Sequence, residues 1–246
     1  MVSDVLGHME VRILDVESRR SERLQLPGED VAQVSPVWMP DGQHLLISRS
    51  LEGIKSSNWI VALDGSQAEQ LMVRSAQGSW ALNTSPDGRT VYYADLAQGV
   101  QQMFALDLGT RKTTQLTKTP GDKFDAAASR DGKWLAITAT TEGTIQLFRM
   151  PAAGGPMQQL TTGNERMRHP SFSPDGRWIY IQPSHGNVFR LKAEGGPLEP
   201  VTHFPEGGLF LEEPALSPDG RYLYYCRSNG GSAMWLMTLE NPGSKQ

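Results

Sequence analysis

Short apolar runs, each bounded by glycine, proline or polar residues, recur along the whole chain. One run follows every Asp-Gly pair and is rich in β-branched and aromatic residues, as half-buried strands require. No stretch shows the apolar period of an amphipathic helix. The pattern therefore predicts an all-β protein. The five runs after the pairs are HLLIS (44–48), TVYYA (90–94), WLAIT (134–138), WIYIQ (178–182) and YLYYC (222–226).

The Asp-Gly pair itself recurs at a nearly fixed period, with successive intervals of 46, 44, 44 and 44 residues. Proline precedes four of the five pairs, and Arg130 takes its place in the third. Proline presets the first corner of a turn, aspartate suits the second, and glycine supplies the left-handed conformation that closes a hairpin. We therefore assign the repeated aspartates to turn formation rather than to a site. The turns lie at 40–42, 86–88, 130–132, 174–176 and 218–220.

Each period contains four short strands, A to D, in chain order. Strand A precedes the Asp-Gly turn and strand B follows it. Strand C comes next, as in IQLFRM (145–150), and four repeats add a strand D, as in MQQLTT (157–162). Four antiparallel strands in about 44 residues are typical of a β-propeller blade.

The phrase S-P-D-G-[RK], the strand MFALDL (103–108) and a later L-T pair resemble the PD40, or WD40-like, repeat of TolB-type propellers. The resemblance covers residues 10–240. It implies a single β-propeller domain over 1–246 with a polar tail at 240–246, in a six-bladed ring whose last blade an N-terminal strand closes. Because this repeat occurs in proteins with many roles, it says little about function.

The number of strands bears on the number of blades. Before the first turn, VRILDV (11–16) matches strand C, ERLQL (22–26) matches strand D, and residues 3–9 resemble a B-to-C turn. The last repeat has only A, B and C, which gives 21 predicted strands. We therefore predict the six-bladed type with blade one incomplete at its N-terminus. The alternative is a closed five-bladed ring in which residues 22–26 complete the last blade.

Composition and motifs exclude several classes of function. The net charge is −4 without a basic block, which argues against nucleic-acid binding. The longest apolar runs are strand-sized, so this segment is not expected to insert into a membrane. Nucleophile-elbow, dinucleotide-binding, Walker and zinc motifs are absent from the sequence. We therefore expect a protein that is not an enzyme and uses no cofactor.

Candidate binding residues lie where the repeats differ, at the starts of the A strands, which converge at the channel mouth of a propeller. Six residues before the turn aspartate, the last three repeats have Asp125, His169 and Glu213. They could bind a partner's side chain, a small ligand or a divalent cation, although a catalytic metal would call for more histidines. Alternatively, they are ordinary solvated residues of a water-filled funnel. Beside them lie Arg168 and Glu212, with Lys123 and Arg166 nearby.

Two functions are compatible with these observations. The first is a non-catalytic scaffold that recognises a protein or a small ligand through the channel mouth and top loops. The TolB-like resemblance implies the bacterial envelope for it, favouring the periplasm, or a larger sensory or regulatory protein. The second is an enzyme, either a lyase or hydrolase with its site in the channel or the propeller of a peptidase that lacks its catalytic domain. The missing nucleophile motifs favour the first.

Overall fold

The computed structural model describes residues 2–5, 8–26, 33–51, 55–75, 80–184, 186–204, 210–228 and 232–239. These residues form 22 strands and no helix. The strands make six antiparallel sheets, each built from strands that are consecutive in sequence. The predictions of an all-β chain and of small four-stranded sheets are confirmed. By their contacts the residues divide into two compact units, Met1–Gln115 and Leu116–Gln246.

The first unit contains three sheets. One has three strands, β1 (Val2–Val5), β2 (His8–Leu14) and β3 (Ser21–Arg23). The next has β4 (Gln33–Trp38), β5 (His44–Leu51), β6 (Lys55–Ala62) and β7 (Ala68–Ser75). The third has β8 (Trp80–Thr84), β9 (Thr90–Ala97), β10 (Val100–Asp107) and β11 (Thr113–Gln115).

The second unit also contains three sheets. The first has β12 (Lys123–Ala128), β13 (Trp134–Thr141), β14 (Thr144–Pro151) and β15 (Gln158–Gln159). The second has β16 (Met167–Phe172), β17 (Trp178–Pro183), β18 (Phe189–Lys192) and β19 (Glu199–Pro200). The last has β20 (Phe210–Leu216), β21 (Tyr222–Ser228) and β22 (Ser232–Thr238).

Within each unit the core lies between successive sheets, and strand B contributes most to it. Successive side chains of a strand point to opposite faces, so the neighbours Leu45 and Leu46 join different clusters. Leu45 packs in a cluster with Val11 of the preceding sheet, and Leu46 in one with Val91 and Tyr93 of the following sheet. A strand buried on both faces requires the near-continuous apolar sequence that follows each Asp-Gly turn.

Five of the six sheets begin with a strand A and contain the Asp-Gly turn. They are five blades, the number in the five-bladed alternative. That alternative also had residues 22–26 complete the last blade, whereas Ser21–Arg23 pair with β2. The assignment of β1–β3 to an incomplete blade of a six-bladed ring stays a prediction, as does the single domain over 1–246.

One local prediction is wrong. Residues 3–9 were assigned to a B-to-C turn, but Val2–Val5 form β1, which pairs antiparallel with β2 from Val5↔His8 to Val2↔Val11. The sheet β1–β3 therefore has three strands instead of the two that were predicted. The stretch VSDV has too few apolar positions to be recognised as a strand, and its ladder with β2 supplies what the side-chain pattern lacks.

Candidate functional site

The Asp-Gly turns are held by a hydrogen-bonded unit that four repeats share. In the fourth repeat, the Ser173 hydroxyl donates to Asp175 Oδ1 (2.6 Å), and the Trp178 N–H donates to Ser173 Oγ (3.0 Å). The Ser173 hydrogen bond is the main reason why the pKa of Asp175 falls to about 2. The aspartates thus serve the turn, as predicted. The other three serine–aspartate pairs are Ser85–Asp87, Ser129–Asp131 and Ser217–Asp219.

The third turn, which has Arg130 in place of proline, makes a contact of its own. The Arg130 guanidinium donates to the carbonyl oxygen of Pro218 (2.9 Å), so the third turn is tied to the fifth. The arginine at this position therefore links two repeats that are not consecutive in sequence.

Strand A contains a β-bulge in each of the last four repeats, and the predicted site residues lie in or at these bulges. A bulge places two residues opposite one and re-aims side chains away from the regular ladder. Asp125, His169 and Glu213 thus occupy equivalent irregular positions, a feature that the sequence alignment on the turns alone did not reveal. The register shifts lie at 81–83, 123–126, 168–171 and 212–215.

Proline follows the candidate residue at Pro170 and Pro214. Proline has no N–H to donate, so within sheets it occurs at edge strands and bulges. Both conditions hold here, since β16 and β20 are edge strands of their sheets and carry the bulges. The His-Pro and Glu-Pro pairs are therefore a usable sequence signal for the bulge.

Asp125 and His169 come together across two neighbouring sheets. The Asp125 N–H donates to Thr138 Oγ1 (3.1 Å), and the Thr138 hydroxyl donates back to Asp125 Oδ2 (2.9 Å). The backbone N–H of His169 donates to the same Oδ2 (3.4 Å). Thr138 thus fixes the carboxylate on its own sheet, while His169 connects it to the next one.

His169 has a left-handed backbone, with φ of 54°. This region is unfavourable for residues with a side chain, and such strain is often found at functional sites. Here the bulge between Arg168 and Ser171 explains the conformation. The strained residue is also the one that donates to Asp125, so the bulge and the contact between the sheets are coupled.

Lys123 does not belong to a ligand-facing surface, contrary to its placement near the channel mouth. Its side chain is completely buried, with 0% exposure. The ammonium donates to the carbonyl oxygens of Thr119 (2.7 Å), Pro120 (3.2 Å) and Gly121 (2.6 Å). Burial lowers the pKa of Lys123 to about 8. Lys123 therefore holds the loop that leads into β12.

Amide side chains on strand C hold the connections between strands D and A, which the sequence analysis missed. Gln146 Nε2 donates to the carbonyl oxygens of Gly163 and Glu165 (both 3.0 Å). Gln146 Oε1 accepts from the Thr161 hydroxyl (2.7 Å), the threonine of an L-T pair. Asn187 and Thr202 repeat this arrangement one blade later, with Asn187 donating to Phe204 O (3.2 Å). The L-T pair was noticed, but its amide partner lies 15 residues away in sequence.

The remaining predicted residues differ in how far the structure describes them. Arg168 is exposed at the start of β16, and Arg166 is exposed just before it. Glu212 and Glu213 lie in β20, but their side chains fall outside the described part. Among the side chains that are described, no group of three His, Cys, Asp or Glu residues could hold a metal ion. The described residues also contain no helix that could cross a membrane.

A comparison with protein-family profiles assigns the chain to a family. The PD40 profile, described as the TolB β-propeller domain, matches residues 6–246. The chain belongs to the TolB β-propeller family. Its fold is accordingly an all-β propeller of small antiparallel four-stranded sheets. A search of curated proteins finds no match.

Several solved structures are similar to this TolB-family chain. A TolB structure from Agrobacterium tumefaciens matches with a TM-score of 0.76 and 21% identity, over 94% of this chain and 85% of that one. TolB from Acinetobacter baumannii gives 0.77 and 21%, over 94% and 57%. An oligogalacturonate lyase in complex with manganese gives 0.64 and 16%, over 93% and 69%. At these identities the likeness shows the fold alone.

Proposed function

We propose that this TolB-family propeller is a non-catalytic recognition module that binds a protein partner or a small ligand at the starts of its A strands. The observation that carries the proposal is the hydrogen bond from His169 N–H to Asp125 Oδ2 (3.4 Å). It joins two of the predicted residues across neighbouring sheets at positions where both strands leave the regular ladder. Residues held off the ladder in this way are available for contact with another molecule.

The hydrogen bonds of Asp125 support a role in binding rather than in catalysis. Its Oδ2 accepts a threonine hydroxyl and a backbone N–H, and its own N–H is bonded to the same threonine. These bonds orient the carboxylate, and none of them comes from a titratable side chain. A general base or nucleophile normally has a second titratable side chain within hydrogen-bond reach. We therefore propose that the Asp125 carboxylate, held in a fixed orientation, accepts a hydrogen bond from a ligand.

We further propose that Glu213, Arg168 and Glu212 belong to the same surface, because their positions in β16 and β20 are equivalent to those around Asp125. The family supports a cellular place in the bacterial envelope, and within it the periplasm, for this module. A protein partner is the ligand class that we favour, since the surface combines carboxylates and guanidinium groups, which suit polar contacts with a folded protein.

Photocrosslinking in the bacterial cell tests the location of the site. A benzophenone amino acid at position 168 should form one discrete protein adduct. The same probe at Lys133, an exposed residue at the other end of the sheet β12–β15, should not. Replacing Asp125, His169 and Glu213 together by alanine should abolish the adduct, while circular dichroism and the melting temperature show that the protein still folds.

The Asp125→Asn variant provides a milder second measurement, because the amide oxygen keeps the acceptor for Thr138 and His169 and only the charge is lost. We expect it to weaken the adduct without changing folding. Equal adducts from positions 168 and 133, or an adduct that survives the triple substitution, would show that partners bind elsewhere.

A further inference from the structure

Among the arginines of the second unit whose side chains are described, two have no partner for their charge. Five described arginines there contact a carbonyl oxygen, a glutamine or a carboxylate. Arg166 and Arg168 are exposed, and neither guanidinium makes a hydrogen bond or ion pair within the described part of the chain. The five partnered residues are Arg130, Arg149, Arg177, Arg190 and Arg221.

The two unpartnered arginines lie on either side of one buried residue. Between them lies Met167, which is 1% exposed and belongs to a core cluster with Ala127 and Ile179. Arg168 follows Met167 in β16 and points to the opposite face of that strand, and Arg166, which directly precedes the strand, is exposed as well. Two residues of extended chain separate their Cα atoms by about 7 Å.

The backbone that carries these arginines is firmly held. Gln146 fixes the carbonyl oxygens of Gly163 and Glu165. The Arg166 N–H donates to Ser184 Oγ (3.1 Å), and the Ser184 hydroxyl donates back to Arg166 O (3.3 Å). A fixed backbone reduces the ordering entropy that a ligand must overcome, so the pair can bind more tightly than two arginines on a loose loop.

We propose that Arg166 and Arg168 bind an extended, acidic segment of a protein partner with carboxylates at every second position. A guanidinium pairs bidentately with a carboxylate. In an extended peptide, side chains two residues apart lie on one face about 7 Å apart, which matches the spacing of the two arginines. This inference rests on the proposed function, because it names the partner chemistry at the strand start beside Asp125.

An NMR titration of the labelled chain with synthetic decapeptides tests the proposal. The first peptide carries Glu-Gly-Glu in a glycine-serine background, the second has the two glutamates far apart, and the third has lysines in their place. The first should shift the amide signals around Arg166 and Arg168 and bind several-fold more tightly than the second. The third should cause no shift there.

Matched double variants complete the test. Arg166→Ala/Arg168→Ala should weaken binding of the first peptide about tenfold, since each exposed ion pair contributes modestly. Lys133→Ala/Arg177→Ala removes the same charge from the turns and should leave binding unchanged. Added salt should weaken the wild-type complex.

Three results would overturn the inference: equal binding of the glutamate and lysine peptides, no effect of the double variant, or an equal loss in the control. The crosslinking experiment distinguishes failure of this inference from failure of the proposed function. If the cellular adduct at position 168 depends on Asp125 and His169 but not on the arginine pair, only the acidic-segment inference fails. If no adduct forms at that position, the proposed function fails, whatever the peptides do.

Discussion

Gly176 and Gly220 close equivalent turns with the same backbone, since φ is 71° in both, yet their surroundings differ. A Cβ added at Gly176 would meet nothing within 4 Å. One added at Gly220 would lie 2.7 Å from Cδ and 2.8 Å from Cγ of Pro174, in the preceding turn. The left-handed conformation is thus required at both positions, whereas close packing of neighbouring turns is required only at the second.

This difference predicts unequal costs of one substitution. Gly176→Ala should lower the free energy of unfolding by about 1 kcal/mol, the cost of a left-handed backbone with a Cβ. Gly220→Ala should cost roughly 1–3 kcal/mol more, because the new methyl overlaps a proline ring. Urea unfolding of the two variants measures both values. Equal losses would mean that Pro174 moves aside and that the turns are not tightly packed against one another.

Lys123 shows where residue-level prediction from sequence stops. Eight residues before the turn aspartate, the third repeat has Lys123 and the fourth has Met167, and both side chains are buried. A lysine is expected at the surface, and the sequence gives no hint of the three carbonyl oxygens that accept from its ammonium. Only the folded loop brings those acceptors together.

At the scale of elements, strands and turns were predictable and their irregularities were not. Each strand B begins where the sequence placed it, because Asp-Gly chemistry and an apolar run coincide there. Strand D of the third repeat is shorter than the predicted 157–162, because β15 covers only Gln158–Gln159. Leu160 of its L-T pair still donates its N–H to Leu147 O (2.8 Å), whereas Thr161 bonds strand C through its side chain, to Gln146. Hydrogen bonds between distant side chains and loops leave no local pattern in a sequence.

The amide on strand C leads to a second prediction. Gln146→Ala should leave the carbonyl oxygens of Gly163 and Glu165 without their donor and cost about 2 kcal/mol. Hydrogen exchange should show faster opening of residues 161–168. Gln158→Ala, which removes a more exposed glutamine that bonds Arg149 and Glu194 O, is the control and should leave that segment protected. Unchanged exchange in Gln146→Ala would show that Ser184 alone holds the loop.

At the scale of the whole molecule, the repeated turns couple stability to acid. The pKa of the turn aspartate is lowered in all five repeats, in the last four mainly by the serine hydroxyl that donates to it. A carboxyl whose pKa is lower in the folded than in the unfolded state binds protons more weakly when folded. Its stabilising contribution is therefore complete above about pH 4, the unfolded value, and is lost as the pH falls toward the folded value.

Thermal unfolding between about pH 5 and pH 2.5 tests this coupling, because that interval includes the unfolded pKa. The melting temperature of the wild type should fall steeply below about pH 4. A variant with Asn at Asp87, Asp131, Asp175 and Asp219 should start lower and fall less. Glu142→Gln, which removes one carboxylate outside the Asp-Gly turns, should follow the wild type. An equally steep fall in the four-site variant would mean that other carboxylates govern acid unfolding.

The bulges of strand A also affect how such a protein can change over generations. When a repeat is duplicated, its turn and strand ladder are copied with it, so the new blade can fold at once. The residue at the bulge lies outside the regular ladder, so its identity can differ from blade to blade, as it does at Asp125, His169 and Glu213. The turn and the ladder can therefore stay the same in each copy while the residue at the bulge, and with it the binding specificity, changes. A combinatorial library at positions 125, 169 and 213 would sample many binding preferences while selecting only one fold.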